Sequence, residues 1–153
     1  MNITITKNTH LIATLNQHVH DVHVEAYPNY FKPYNYDLVK SEFDSIIDVE
    51  KFEFLLIEDE NEAVGYAWIE YRKYRENAFK LSYQSVYVHQ ISISSDVRGK
   101  GYGTSLMKEI ERRALARDIH KIELDYWTKN SMAKSFYEKL GFSPYVEHAY
   151  KDI

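Results

Sequence analysis

The sequence predicts a mixed α/β fold: one sheet, antiparallel in its N-terminal strands and parallel in the middle, with helices on both faces. Three observations carry this expectation. Residues 52–57 and 63–71 are two β-rich runs around the polar Asp59-Glu60-Asn61-Glu62, which reads as an antiparallel hairpin with a loop of about four or five residues. Residues 84–126 then run strand, amphipathic helix, strand, so those two strands should be parallel with a right-handed crossover. The remaining segments carry apolar residues at helical spacing, which suits helices laid on a sheet.

Each element has a local reason. Residues 2–6 alternate polar and β-branched side chains as a strand does, and Asn8 or Thr9 can cap a helix carrying Leu11, Leu15, Val19, Val22 and Ala26. An aromatic loop over residues 27–36, with Pro28 and Pro33, precedes a short second helix suggested by Leu38, Phe43, Ile46 and Ile47. After the hairpin, a strand is expected at about residues 84–94. Residues 103–117 place Leu106, Met107, Ile110 and Ala114 on one helical face. Residues 119–126 alternate Ile122 and Leu124 with polar positions. A last helix from Ser131 is expected to bury Met132, Ala133, Phe136, Tyr137 and Leu140 and to stop at Gly141, and residues 142–150 are expected to form a closing strand or two.

At 153 residues the chain is long enough to bury most of its unfolded surface, and no repeat or linker divides it, so one domain over residues 1–153 is expected. No apolar run approaches the roughly 18 residues of a bilayer span, and Met1 to Lys7 do not read as a secretory signal, so the cytoplasm is the expected location. The absence of cysteine excludes disulfides, thiolate metal sites and a cysteine nucleophile. A net charge of −4 gives no general field favouring nucleic acid or an anionic membrane. His18, His20, His23 and Asp21 are spaced so that only His20 and His23 share a helical face, which does not make a metal site. The Glu109–Arg113 pair reads as a solvated helix face.

The most informative stretch is Arg98-Gly99-Lys100-Gly101-Tyr102-Gly103, set between a strand and a helix N-terminus. Glycines let backbone approach an anion, free N–H groups of a first helical turn point outward, and the helix dipole favours negative charge there. Arg98 and Lys100 add positive charge, so a pyrophosphate suits the turn. It is not a Walker loop, and a dinucleotide fingerprint beginning at Gly99 fails at Thr104, although Asp125 ends the next strand where a ribose-binding acid would sit.

Arg98, Gly101 and Gly103 match Arg/Gln-x-x-Gly-x-Gly/Ala, and the segment from Asn130 to Phe142 is similar to Asn-x-x-Ala-x-x-Phe-Tyr-x-x-x-Gly-Phe. Two such blocks in this order resemble the GNAT superfamily of acetyl-CoA-dependent N-acetyltransferases, whose first block lies between the fourth strand and third helix. The resemblance covers residues 90–142; the N-terminal half agrees in element order and hairpin placement.

The resemblance implies acetyl-CoA as cosubstrate, with the backbone of Arg98, Gly99, Lys100, Gly101, Tyr102, Gly103 and Thr104 around its pyrophosphate. It implies that the strand Ile91-Ser92-Ile93 pairs with the pantetheine amides and offers a backbone group to the thioester oxygen. Ile91 and Ile93 read equally as core. Tyr137 resembles the family tyrosine that protonates the departing thiolate, while its spacing from Ala133 and Phe136 also fits a core position. Asn130 resembles the residue that bonds the cofactor arm and is equally a helix N-cap.

The incoming ammonium must lose a proton, and His89, nine residues before Arg98 where related proteins place a glutamate, is the candidate base. Glu70, Gln90 or a water chain are the alternatives, as is a structural role for His89. Lack of cysteine favours direct attack in a ternary complex. Tyr30, Phe31 and Tyr34, with Tyr27, Tyr36 and Asp37 in the aromatic loop and with Trp127 beyond the fifth strand, are candidates for the acceptor pocket, or for loop packing. The acceptor itself is open between a small amine or polyamine, an aminoglycoside and a peptide amine. A non-catalytic acyl-CoA sensor is the second functional class, and the resemblance admits a homodimer.

Overall fold

The computed structural model describes all 153 residues. Its elements are β1 (Asn2–Ile5), α1 (Thr9–Ala26), α2 (Tyr36–Ile46), β2 (Phe52–Asp59), β3 (Glu62–Tyr74), β4 (Tyr83–Ile93), a single 3-10 turn (Ser95–Val97), α3 (Tyr102–Leu115), β5 (Ile122–Leu124) and α4 (Ser131–Lys139). The five strands lie in sequence order in one sheet, antiparallel from β1 to β4 and parallel between β4 and β5. No helix is long and apolar enough to cross a membrane.

Three helices begin on an asparagine. Asn8, Asn35 and Asn130 each accept a hydrogen bond from the backbone N–H three residues on, at 3.0–3.1 Å, removing one orphan donor from α1, α2 and α4. α3 begins differently, after a left-handed glycine, and that exception marks the site.

Alternation along the strands gives the sheet two apolar faces. On one, Ile12, Ala13 and Leu15 of α1 and Phe43 of α2 meet Phe54, Leu56 and Tyr66. On the other, Leu106, Met107, Ile110 and Ala114 of α3 meet Leu55, Ile57, Ala67, Ile69, Val86 and Val88. Losing one such side chain, as in Ile110→Ala, costs about 2–5 kcal/mol.

The hairpin is tighter than the sequence suggested. Asp59 pairs with Glu62, leaving a two-residue turn in which Glu60 and Asn61 have φ of 50° and 67°. Two successive positive φ values match the twist of the flanking strands, and Asn tolerates that region well. Residues 142–150 form no strand, contrary to expectation. α4 ends in a Schellman motif: Gly141 has φ of 86°, and Phe142 N–H donates to the Tyr137 carbonyl. Pro144 then removes a ladder donor and restricts Ser143, and the following segment stays exposed. Met132, expected in the core, is 58% exposed.

Two irregularities shape the middle of the sheet. The β3–β4 register passes from Trp68↔Gln90 to Ile69↔Val88, so His89 is an extra residue in β4. β5 pairs with β4 only from Val86↔Ile122 to Val88↔Leu124, shorter than the expected residues 119–126. Beyond Val88 the two parallel strands part, and β4 presents an unpaired backbone edge from His89 to Ile93.

Candidate active site

That parting opens a cleft of about 340 Å³, within the usual range for a small-molecule site. Val19 and Val22 of α1 form one wall, Ile91 and Ile93 the floor, and Ala133, Phe136 and Tyr137 of α4 the opposite wall. The glycine turn closes one end. Ser92 turns its hydroxyl away to the carbonyl of Leu15, so only its backbone belongs to the cleft floor.

At the turn, Gly99 and Gly101 have φ of 83° and 89°, and nothing lies within 4 Å of where a Cβ would stand on either. The glycines are required by backbone conformation, and the space above them is open. The first intrahelical bond of α3 runs from Ser105 N–H to Gly101, which leaves the N–H groups of Tyr102, Gly103 and Thr104 without an intrahelical acceptor. Gly103 has a different reason to be glycine. A Cβ there would stand 3.2 Å from Phe136 Cζ, so its absence lets α4 close on the start of α3.

The other residues of the turn divide. Arg98 lines the cleft while donating from Nη2 to the His18 carbonyl at 2.9 Å and from Nε to the Ile93 carbonyl at 3.3 Å, which ties α1 to the end of β4. Lys100 is exposed and does not line the cleft. The Tyr102 side chain is buried and donates to Asp59 Oδ2 at 2.6 Å, so it contributes backbone only. Asn130 lines the cleft and also caps α4, combining the two roles the sequence left open.

Tyr137 lines the cleft, its ring stacked on Tyr126 at 5.9 Å, and its hydroxyl makes no hydrogen bond within the protein. Burial, and secondarily the charge of Asp125, push its pKa up to about 12. His89 stacks on Trp68 at 4.2 Å, and its Nε2 lies 2.8 Å from Glu70 Oε2. Glu70 is buried and also takes Lys51 Nζ at 2.6 Å and Arg72 Nε at 2.9 Å. Burial pushes the Glu70 carboxyl up, but the hydrogen bonds from Lys51, Arg72 and His89 outweigh it and hold it at about 2.

A carboxylate that stays ionised can only accept, so the neutral His89 carries its proton on Nε2 and leaves the Nδ1 lone pair free. Burial lowers the His89 pKa below 6.5, against the opposing pull of Glu70.

Tyr30, Phe31 and Trp127 come together as the sequence suggested, with ring centroids 5.7 and 5.1 Å from Trp127. They sit where the α1–α2 loop meets the β5–α4 loop, outside the cleft lining. Tyr34 does not join them; its hydroxyl donates to the Ala13 carbonyl in α1. Tyr27 of the same loop locks the two loops by packing on Trp127 at 4.7 Å and accepting from Lys129 N–H at 3.0 Å. His18, His20 and His23 face separate partners: the Ser95 N–H, the Lys32 carbonyl and the Phe31 ring.

Reading β4 and β5 as alternating strands would have found a further pair. Tyr87 shares a face with His89, at 4.9 Å between ring centroids, and donates to Asp125 Oδ2 at 2.6 Å.

The open first turn of α3 lies in the first sequence block, and α4, across the cleft, lies in the second. A model of the acetyltransferase (GNAT) family matches residues 16–142. The chain belongs to the GNAT acetyltransferase family. An uncharacterized N-acetyltransferase, YobR of Bacillus subtilis (strain 168), is 34% identical over 61 residues, a match spanning 40% of this chain and 25% of that protein. The chain thus spans about a quarter of the length of that curated relative. A tetramutant of the BH1408 protein of Bacillus halodurans has a TM-score of 0.94 at 25% identity over 100% of both chains. Aminoglycoside N-acetyltransferase AAC(6')-Iy, solved in complex with CoA, has a TM-score of 0.69 at 16% identity, covering 99% of this chain and 93% of that one. At that identity the second likeness bears on the fold alone. The GNAT match begins inside α1 and ends at Phe142, so it takes in the cleft, the turn and α4 together.

Proposed function

We propose that this GNAT protein is an acetyl-CoA-dependent N-acetyltransferase that moves the acetyl group to a primary amine by direct attack in a ternary complex. The observation that carries the reading is the cleft itself: an unpaired β4 edge leading to three free N–H groups above open glycines. Those features suit an extended amide-bearing arm ending in a pyrophosphate. When bound, acetyl-CoA supplies a thioester activated for attack by an amine. AAC(6')-Iy, of the same fold, is a protein solved with CoA.

The roles of the chain's own residues follow from their chemistry. The N–H groups of Tyr102, Gly103 and Thr104 hold the pyrophosphate, with the Arg98 guanidinium at the rim. The β4 edge from Ile91 to Ile93 aligns the arm and offers a backbone donor to the thioester oxygen as charge develops there. Val19, Val22 and Phe136 exclude water from that position. His89 takes the ammonium proton on Nδ1, and its lowered pKa keeps it neutral and ready at neutral pH. Glu70 is the weaker candidate, because its carboxylate already accepts from Lys51, Arg72 and His89 and is held at about 2.

Tyr137 acts at the departing sulfur. With a pKa of about 12 against roughly 8.5 for a thiol, it stays protonated and stabilises the thiolate mainly by donating a hydrogen bond.

Calorimetric titration of acetyl-CoA and CoA into the protein, with NADH and ATP as controls, tests the site, and thiol release with a panel of amines tests the reaction. Saturable acetyl-CoA binding with amine-dependent thiol release is the expected outcome. Binding without release would leave an acyl-CoA sensor, and absence of binding would overturn the cofactor assignment.

A further inference from the structure

The last β4–β5 pair is Val88↔Leu124, and just past it Asp125 Oδ2 accepts at 2.6 Å from the hydroxyl of Tyr87, whose ring lies 4.9 Å from that of His89. The residue after Asp125, Tyr126, stacks on Tyr137. Asp125 therefore stands between the candidate base on β4 and the candidate acid on α4. Its charge acts on both, raising the pKa of each.

The three carboxylates along this part of the sheet face are not equivalent. Glu70 is consumed by Lys51, Arg72 and His89. Glu123 accepts from the hydroxyls of Tyr83 and Tyr145. Asp125 makes no ion pair; Oδ2 takes the Tyr87 hydroxyl, and Oδ1 has no partner in the protein. The nearby cations are committed elsewhere. Arg72 is bonded to Glu70 and lies over the Tyr87 ring at 3.6 Å, and Lys129 reaches the Ala26 carbonyl and the Tyr27 ring.

An exposed carboxylate without a cation at the mouth of an amine-acetylating site would hold an ammonium. It is a poor partner for the nitrogen that reacts. That nitrogen has to give up its proton before attack, and a carboxylate against it favours the protonated form. The same carboxylate is well suited to a second ammonium that stays charged throughout. The aromatic rim of Tyr30, Phe31 and Trp127 offers faces for the connecting methylenes and for a cation.

We propose that Asp125, oriented by Tyr87, docks a second, non-reacting ammonium of the acceptor, so that the acceptor is a diamine or higher amine in which one nitrogen is acetylated. The inference rests on the transferase reading above and deepens it.

The test compares butane-1,4-diamine with n-butylamine, which share a carbon chain and differ in the second charge. Calorimetric titration of each into the CoA-saturated protein reads docking without requiring turnover, and thiol release with acetyl-CoA reads kcat and KM. For the wild type, diamine binding and kcat/KM should exceed those of butylamine by about tenfold or more, as a charge-assisted contact supplies. Asp125→Asn keeps an oxygen for the Tyr87 hydroxyl and should bring the ratio to about one, chiefly through KM. Raising ionic strength from about 0.05 to about 0.5 M should shrink the wild-type preference, which decides the matter should Asp125→Asn fail to fold. A wild-type ratio near one, a tenfold preference surviving in Asp125→Asn, or a preference indifferent to salt would overturn the proposal. Diamine docking lost in Asp125→Asn, with no thiol released from any amine, would uphold the docking site and refute the transferase reading.

Discussion

Glu70→Gln removes one charge from a buried carboxylate with three side-chain partners while keeping its shape. Hydrogen bonds from Lys51, Arg72 and His89 hold Glu70 at about 2 despite its burial, against 4.5 for an unperturbed glutamate. A difference of that size between folded and unfolded chains is worth roughly 3 kcal/mol. The Lys51 side chain is 56% exposed, and solvent screening there reduces the expected loss to about 2 kcal/mol. The folded pKa lies below the unfolded one, so the stabilisation is complete above pH 4.5 and disappears as pH falls towards about 2. Urea unfolding of both proteins across that range should show a gap that is full at neutral pH and narrows below pH 4.5. A gap of the same size at every pH would refute the assignment of the stabilisation to this carboxylate.

The same variant reports on catalysis. Burial lowers the His89 pKa and Glu70 opposes the fall. With the carboxylate replaced by an amide, the lowering meets less opposition, and the acid limb of kcat/KM should move to lower pH. The glutamine oxygen still accepts from Nε2–H, so Nδ1 remains the basic nitrogen and activity on the plateau should survive. A limb that does not move means that a group other than His89 takes the proton.

Gly101→Asp should abolish acetyl-CoA binding by calorimetry, since it sets a carboxylate beside the free N–H groups, while the left-handed backbone costs only about 1 kcal/mol in a urea melt. Unaltered affinity would remove the turn from the site. Tyr137→Phe should lower kcat by about 10²–10³-fold with little change in KM, as loss of a group acting only at the departing sulfur does. Undiminished thiol release would return Tyr137 to a packing role.

Much of the candidate site's local structure was legible because it is set by neighbouring residues. The glycine turn, the Asn130 cap and the Gly141 stop are each written within a few residues, and each forms as its sequence requires. What escaped depends on contacts distant in sequence or on conformations that composition does not distinguish. The Glu60–Asn61 turn reads in the sequence as a longer loop because neither residue is glycine, although Asn61 carries the signal. The Glu70 clamp draws Lys51 from before β2, Arg72 from β3 and His89 from β4, and no spacing announces it. Tyr34 resembled its loop neighbours in type and differed only in having the Ala13 carbonyl within reach. The tail after Phe142 alternated well enough to suggest strands, but Pro144 and a shortened β5 leave it no ladder to join.

The β4 bulge is the exception, because its signature was present and out of phase. Val86 and Val88 face the α3 side of the sheet, and strict alternation would send Gln90 and Ser92 into that apolar core and lift Ile91 and Ile93 towards α1. The apolar positions instead run 86, 88, 91, 93, slipping by one residue between Val88 and Ile91. The extra residue repairs the phase. Ile91 and Ile93 return to the α3 side, where they floor the cleft. Gln90 turns to α1, where its Oε1 accepts from Tyr66 at 2.6 Å and from Asn16 at 3.1 Å, and Ser92 reaches Leu15. His89, the residue inserted, is left on the same face as Tyr87 and against Glu70. One insertion thus satisfies three buried polar side chains, floors the cleft with isoleucine and sets the candidate base where β5 departs. Without an extra residue between Val88 and Ile91 that phase would be lost, so the bulge follows from how β4 must be buried.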